Sequence, residues 1–290
     1  MSKARLSRLP DRGVLAIRGK DRIEFLQGLV TQDVTALAPD HALYAGLLSP
    51  QGKLICDFFL AATDDAVLLD VAADRAASLT QRLTLYKLRA VVEIENASAS
   101  LGVAALFGDG ACEKLGLSLA EGAARAERGG ALFTDPRLAA LGVRLILPRE
   151  ATIDADPATP KDYATHRLAL GIGEGGEIGN ESLYPLEANF EALHGVDFRK
   201  GCYVGQELTA RMKHRGGLRK RVLPIQSGAA LPVPGTAVEA EGKEIGTLLA
   251  AQGTQGLALF RLDRLSEAQN VPLLAQGVSI SVSWPAWLPR

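Results

Sequence analysis

Residues 42–61 read ALYAGLLSPQGKLICDFFLA, two apolar runs (42–48 and 54–61) joined by Ser49, Pro50, Gln51 and Gly52. Pro and Gly supply the backbone angles of a tight reversal, so the stretch reads as a β-hairpin. Toward the N-terminus, residues 14–18 alternate like a strand. Asp21 with Glu24 three positions on then makes a capping-box start for a helix carrying Ile23, Leu26 and Val30 on one face. Toward the C-terminus come a third run (66–71), a helix opened by Asp74 with Ala76, Leu79, Leu83 and Tyr86 on one face, and a closing strand at 90–94. Strand, helix, strands, helix, strand is the order of a split βαβ unit, with antiparallel strands carrying helices on one face. The reading is an α+β lobe over residues 1–100.

A second lobe is expected over residues 101–220. Strand signals at 102–107 and 143–147 flank an Ala/Gly-rich stretch, 121–131, that reads as a surface excursion. Thr159, Pro160 and Asp162 supply a hydroxyl N-cap, a proline at the first helical position and an acid at the third, predicting a helix to about Gly171. Beyond the basic run RMKHRGGLRKR (211–221) the composition changes. Short strand-like runs at 222–226, 236–240, 244–250, 256–262 and 278–284 lie between Gly and Pro turns and predict a small antiparallel β-barrel over 221–290.

The 290 residues are 47% hydrophobic, and 32 Lys plus Arg face 33 Asp plus Glu, so no global field drives binding to nucleic acid or an anionic membrane. No apolar run approaches the roughly 18 residues of a membrane span. Cys56, Cys112 and Cys202 are few, odd in number and far apart, which suits a reducing compartment such as the bacterial cytoplasm. The basic start lacks a long apolar stretch and reads as no clear transit peptide, leaving a mitochondrial matrix location for a eukaryotic source only. His41, His166, His194 and His214 show no metal-ligand spacing, and no permanently bound metal is expected. GIGEGG (171–176) matches G-x-G-x-x-G but follows a helix instead of opening one, so it reads as a helix stop and loop.

Cys202 lies in DFRKGCYVGQE (197–207), where Gly201 and Gly205 free the backbone and Arg199 and Lys200 would favour the thiolate. KGCYVGQE followed by ARMKHRG resembles the signature of the YgfZ family, which includes the mitochondrial factor for late iron–sulfur cluster assembly. The similarity extends through FLQGLVTQDV (25–34), LYAGLLSPQGKLICDFFL (43–60), LALGIGEGG (168–176) and LYPLEANFE (183–191). The wider superfamily is that of the T protein of glycine cleavage, whose fold has α+β lobes of ferredoxin-like, split βαβ type plus a small barrel around a central opening for tetrahydrofolate.

The resemblance implies tetrahydrofolate, or a derivative, as ligand, with Glu187 on the pterin and Asn189, Tyr184, Tyr44 and Lys200 around it. A pterin offers a donor-rich edge and a flat face, and so suits a carboxylate and an apolar wall. Arg211 is the candidate for the glutamyl tail, within a basic run whose commoner fate is a solvated loop. The family implies support of [4Fe-4S] cluster assembly or repair on client enzymes, among them tRNA-thiolating radical enzymes, with cluster-assembly proteins as partners and Cys202 as the essential thiol. The alternative is an aminomethyl transferase with Asp57 as its acid. In the T protein an Asp-Asp pair supplies that acid, and here the matching positions are Cys56 and Asp57, so one carboxylate is missing. A third reading, tRNA binding by residues 211–221, lacks interleaved aromatics to stack a base.

Overall fold

The computed structural model describes residues 3–290. In chain order the first elements are β1 (Arg5–Arg8), β2 (Arg12–Arg18), α1 (Arg22–Gln27), β3 (Leu43–Leu48), β4 (Leu54–Ala62), β5 (Ala66–Ala72), α2 (Ala73–Tyr86) and β6 (Glu93–Asn96). Five of these strands form an antiparallel sheet in the order β3-β4-β5-β2-β6, with the expected hairpin at one edge. Successive side chains on a strand point to opposite faces. Leu15, Ile17, Leu60, Val67 and Leu69 pack with Leu26 of α1 and Leu79 and Leu83 of α2, while Val14, Ala16, Phe59 and Leu68 turn toward a second sheet.

Two local readings change here. Asp21 stands at the N-cap of α1 but does not cap it, because its carboxylate accepts the Val91 N–H at 2.7 Å and pins the loop after α2. That loop turns at residues 90–92, where the Ala90 N–H donates to the Lys87 carbonyl at 2.8 Å, so the closing strand starts at Glu93 and not at Ala90.

The second sheet comprises β7 (Leu101–Phe107), β8 (Ala124–Glu127), β9 (Gly130–Thr134), β10 (Val143–Pro148) and β11 (Asp156–Ala158), in the order β11-β1-β7-β10-β9-β8. Strand β1 therefore belongs with the second lobe, where it pairs with β7 and β11, although the sequence reading put residues 1–100 in the first. The stretch 121–131 lies largely at the surface, as expected, but as a regular sheet-edge element. It folds into the hairpin β8–β9, and β9 is wholly buried. Gly130 permits this closure, since a Cβ there would collide with the Ile146 carbonyl. A short helix, α3 (Ala111–Lys114), follows β7, and α4 (Pro160–Ala169) follows β11. Its capping box forms as expected: the Thr159 hydroxyl accepts the Asp162 N–H at 3.2 Å, and the Asp162 carboxylate accepts the Thr159 N–H at 2.8 Å.

Helix α5 (Gln206–Arg215) takes up the first half of the basic run that reads as a loop in the sequence. Lys213, His214 and Arg215 sit in its last turn, where the helix dipole favours cations. The barrel then closes in the order β12-β15-β14-β13-β16-β17, from β12 (Lys220–Ser227), β13 (Ala237–Ala240), β14 (Lys243–Gln252), β15 (Gln255–Arg261), β16 (Leu273–Ala275) and β17 (Val278–Val282). The sequence pattern misses β16, three residues long, and the helix α6 (Leu262–Glu267) before it. Leu223, Ile225, Val238, Leu248, Phe260 and Ile280 fill the barrel.

Candidate functional site

The loop around Cys202 is fastened to the first lobe at several points. Asp197 Oδ1 accepts the backbone N–H groups of Arg199 at 2.5 Å and Lys200 at 3.2 Å, an Asx-type turn that sends the Lys200 side chain inward. The Lys200 ammonium donates to the carbonyls of Gln27 (2.9 Å), Val30 (2.7 Å) and Gln32 (2.7 Å). Burial pushes it down to about 8, against the pull of Asp33 and Asp197. Tyr203 is buried, and its N–H donates to Gln206 Oε1 at 3.3 Å. Gly205, at φ +79°, packs on the turn between β3 and β4, where a Cβ would lie 2.5 Å from the Ser49 carbonyl oxygen. Between these anchors Cys202 is exposed, whereas Cys56 and Cys112 are buried. Burial, reinforced by Asp57, pushes the Cys56 thiol up to about 12.

Gly205→Ala is therefore expected to cost at least about 1–2 kcal/mol, the strain of a left-handed non-glycine residue. Urea denaturation at neutral pH measures it. A loss under 0.5 kcal/mol would mean that the loop is not held by this contact.

The structure corrects two expectations here. Lys200 spends its three N–H donors on backbone carbonyls, so it acts as a fastener and not as a partner of thiolate or folate. Asp57 has no solvent-exposed surface. Its Oδ1 accepts the Gly175 N–H at 2.9 Å, and its Oδ2 lies 3.2 Å from the Tyr44 hydroxyl. A general acid needs to come within hydrogen-bond reach of its substrate, and Asp57 is sealed between the sheets. Cys56, one residue earlier on β4, points to the helical face, so the two positions do not converge on one site.

A cleft of about 790 Å³ opens between β3, the segment before β8, residues 191–199 and Lys213 of α5. Across it His194, held at φ +54°, meets Glu121 at 3.0 Å, and Lys213 pairs with Glu191. Of the candidate ligand residues only Tyr44 lines this cleft, together with His41, His194 and Arg199. Glu187 and Asn189 sit together beside the barrel instead. The Glu187 carbonyl accepts the Val222 N–H at 2.9 Å, and Asn189 Nδ2 donates to the Val222 carbonyl at 2.9 Å. Glu187 Oε2 accepts the Tyr184 N–H at 3.0 Å, and the buried Asn189 Oδ1 has no hydrogen-bond partner. Lys53 lies over the Tyr184 ring, 3.6 Å from its centroid. Arg211 is exposed on α5.

Sequence reasoning missed a buried ionic network between the two sheets. Arg12 meets Asp70 at 2.6 Å and Arg137 meets Asp135 at 2.8 Å. Glu174 of GIGEGG takes contacts from Arg144 (2.7 Å), Arg137 (2.9 Å) and Arg12 (3.3 Å). Burial works against the Glu174 charge, but Arg144, Arg12 and Arg137 outweigh it and hold the carboxyl well below the usual range. The glycine motif thus carries a carboxylate in between the sheets and turns the Gly175 N–H onto Asp57. A signal was present: Asp70 and Arg144 each stand inside an otherwise apolar strand, AVLLDVA and VRLILP. A charge so placed must find a buried partner.

Comparison with known proteins agrees with this architecture. Residues 219–290 match the family model described as the CAF17 C-terminal beta-barrel domain. The aminomethyltransferase T of the glycine cleavage system from Bartonella henselae superposes with a TM-score of 0.75 over 99% of this chain and 87% of that one, at 15% identity, which establishes the shared fold. The mitochondrial iron–sulfur cluster assembly factor IBA57 of Homo sapiens is 33% identical over 97% of this chain and 85% of its own length. The chain belongs to the IBA57 family. The homologue from Mycosarcoma maydis is 35% identical over 76% of this chain, and the match spans 57% of that longer protein. The chain thus covers just over half the length of the fungal family members it matches in Mycosarcoma maydis and Neurospora crassa. Membership bears out the resemblance read from KGCYVGQE, and the aminomethyltransferase neighbour bears out the α+β fold with its closed C-terminal barrel. No helix among the described residues is long and apolar enough to cross a membrane.

Proposed function

We propose that the protein supports iron–sulfur cluster assembly on client enzymes, with Cys202 as its working thiol and tetrahydrofolate as a bound ligand. The observation that carries the reading is the exposed Cys202 on a loop held by Lys200, Tyr203 and Gly205. Clusters take thiolate ligands, and a single thiol leaves the other ligands to an external thiol or a partner protein. Effects on tRNA modification would then follow through clients that are tRNA-thiolating radical enzymes. Restoration of a [4Fe-4S] enzyme's activity in a strain lacking the gene tests this role, and failure of the intact protein to restore it would remove the reading.

Glu187 and Asn189 suit the pterin. Both are buried acceptors held at the same barrel residue, and Asn189 Oδ1 lacks a donor that the pterin edge would provide. Tyr184 would add flat surface, whereas Tyr44 is buried against Phe59 and Phe190 and lines the other cleft. Tetrahydrofolate, when bound, would supply a one-carbon carrier, but with Asp57 enclosed the chain has no acid at its expected place to drive transfer, so the folate reads as a ligand more than as an acceptor in turnover. Calorimetric titration with tetrahydrofolate is expected to show binding, weakened about ten- to a hundredfold in Glu187→Ala, the range for losing a hydrogen bond to a charged group. Absence of binding by the intact protein would exclude folate without touching the thiol role.

A further inference from the structure

The network between the sheets does not balance if every group takes its ordinary charge. Three buried guanidiniums (Arg12, Arg137, Arg144) face three buried carboxylates (Asp57, Asp70, Asp135) and a fourth, Glu174, whose side chain keeps 9% of its surface exposed, while the neighbouring pair Arg167–Glu177 neutralises itself. Asp70, Asp135 and Glu174 each contact a guanidinium within 4 Å; Asp57 contacts none. We infer that Asp57 holds a proton at neutral pH, and that this proton balances the charge sealed between the two lobes.

The groups facing Asp57 come from every element around it. Tyr44 of β3 and the Gly175 N–H touch it directly. Arg12 of β2 and Arg137 of the segment after β9 favour its charge, and Glu174 disfavours it; Asp70 of β5, Arg144 of β10 and Tyr163 of α4 complete the network. An ionised Asp57 would satisfy both of its hydrogen bonds yet leave an unpaired buried charge. A neutral Asp57 leaves one hydroxyl hydrogen without an acceptor, which is the smaller penalty. Burial raises the carboxyls of both Asp57 and Asp70 above the usual range, but Asp70 is paired with Arg12 at 2.6 Å and Arg144 at 3.6 Å, so the proton belongs on Asp57. Because Tyr44 also lines the cleft, the neutral carboxyl forms the inner support of the cleft wall.

The sign of the pH dependence follows. A carboxyl raised in the folded state contributes stability that is complete below its unfolded value and is lost as pH rises toward the folded one. Asp57→Asn lacks this loss, so its folding constant relative to wild type should rise about tenfold per pH unit within that window. A ratio that does not change with pH would overturn the inference. Labelling the aspartate γ-carbons with carbon-13 gives a second measurement that needs no variant to fold. At pH 7 the NMR spectrum of the whole protein should hold one protonated aspartate carboxyl resonance, absent from Asp57→Asn where that variant folds. None in the intact protein, or one that survives in Asp57→Asn, would overturn it.

Discussion

Replacing Glu174 with Ala is expected to destabilise the protein by about 3–5 kcal/mol, the range for removing one partner of a buried ion pair. Glu174 is the shared acceptor of Arg12, Arg137 and Arg144, and the Arg137 and Arg144 side chains have no exposed surface. Without it their positive charges face only Asp70 and Asp135, and the two sheets are held apart by uncompensated cations. Set against a total stability of roughly 5–15 kcal/mol for a folded protein, such a loss brings the chain near unfolding. Glu174→Gln keeps the volume and some hydrogen bonds, and should cost less than Ala. The acid limb of the stability curve tests the same contact. A carboxyl depressed in the folded state contributes stability present above its ordinary value of about 4.5 and lost as pH falls below it. Both variants should therefore show a shallower fall in stability on acidification than wild type. Urea titrations across pH measure this, and a loss below 1 kcal/mol for Ala at pH 7 would show that the arginines find other partners.

Cys202→Ala should have the opposite profile: function lost and stability kept. Its side chain is exposed, and a surface substitution away from caps, cores and ion pairs stays within about 0.5 kcal/mol of wild type. In a strain lacking the gene, the variant should leave the activity of a [4Fe-4S] enzyme at the level of the empty vector, while its melting temperature matches wild type. Lys200→Met separates the thiol from its support, since it should lower stability by uncovering three backbone carbonyls while leaving the thiol in place. Full restoration by Cys202→Ala would exclude a required thiol. Loss of both activity and stability would place Cys202 among the fasteners.

Much of the architecture was legible from local pattern. Alternation separates Val14 and Ala16 from Leu15 and Ile17 on two faces of one strand, and Thr159 with Asp162 marks a helix start that forms as read. Signals failed where a local feature had a distant competitor. Asp21 caps the Val91 amide instead of its own helix, and residues 124–134 pair as a hairpin only because β10 lies beside them. The short strand β16 has too few residues to show a period, and its place is set by its neighbours in the barrel.

The hairpin at residues 42–61 shows the division most clearly. By itself the sequence determined the hairpin, the family signature around Cys202 and the barrel beyond it, because turn residues, two-residue alternation and a long motif are properties of neighbours along the chain. Only the tertiary structure decided what the charged residues do. Asp57 in that hairpin looks like a catalytic acid until Tyr44 and the Gly175 loop close over it, and Lys200 looks like an activating cation until three carbonyls at and beyond the end of α1 accept its N–H groups. Charge acts through space and through dielectric, and both are set by which elements pack together.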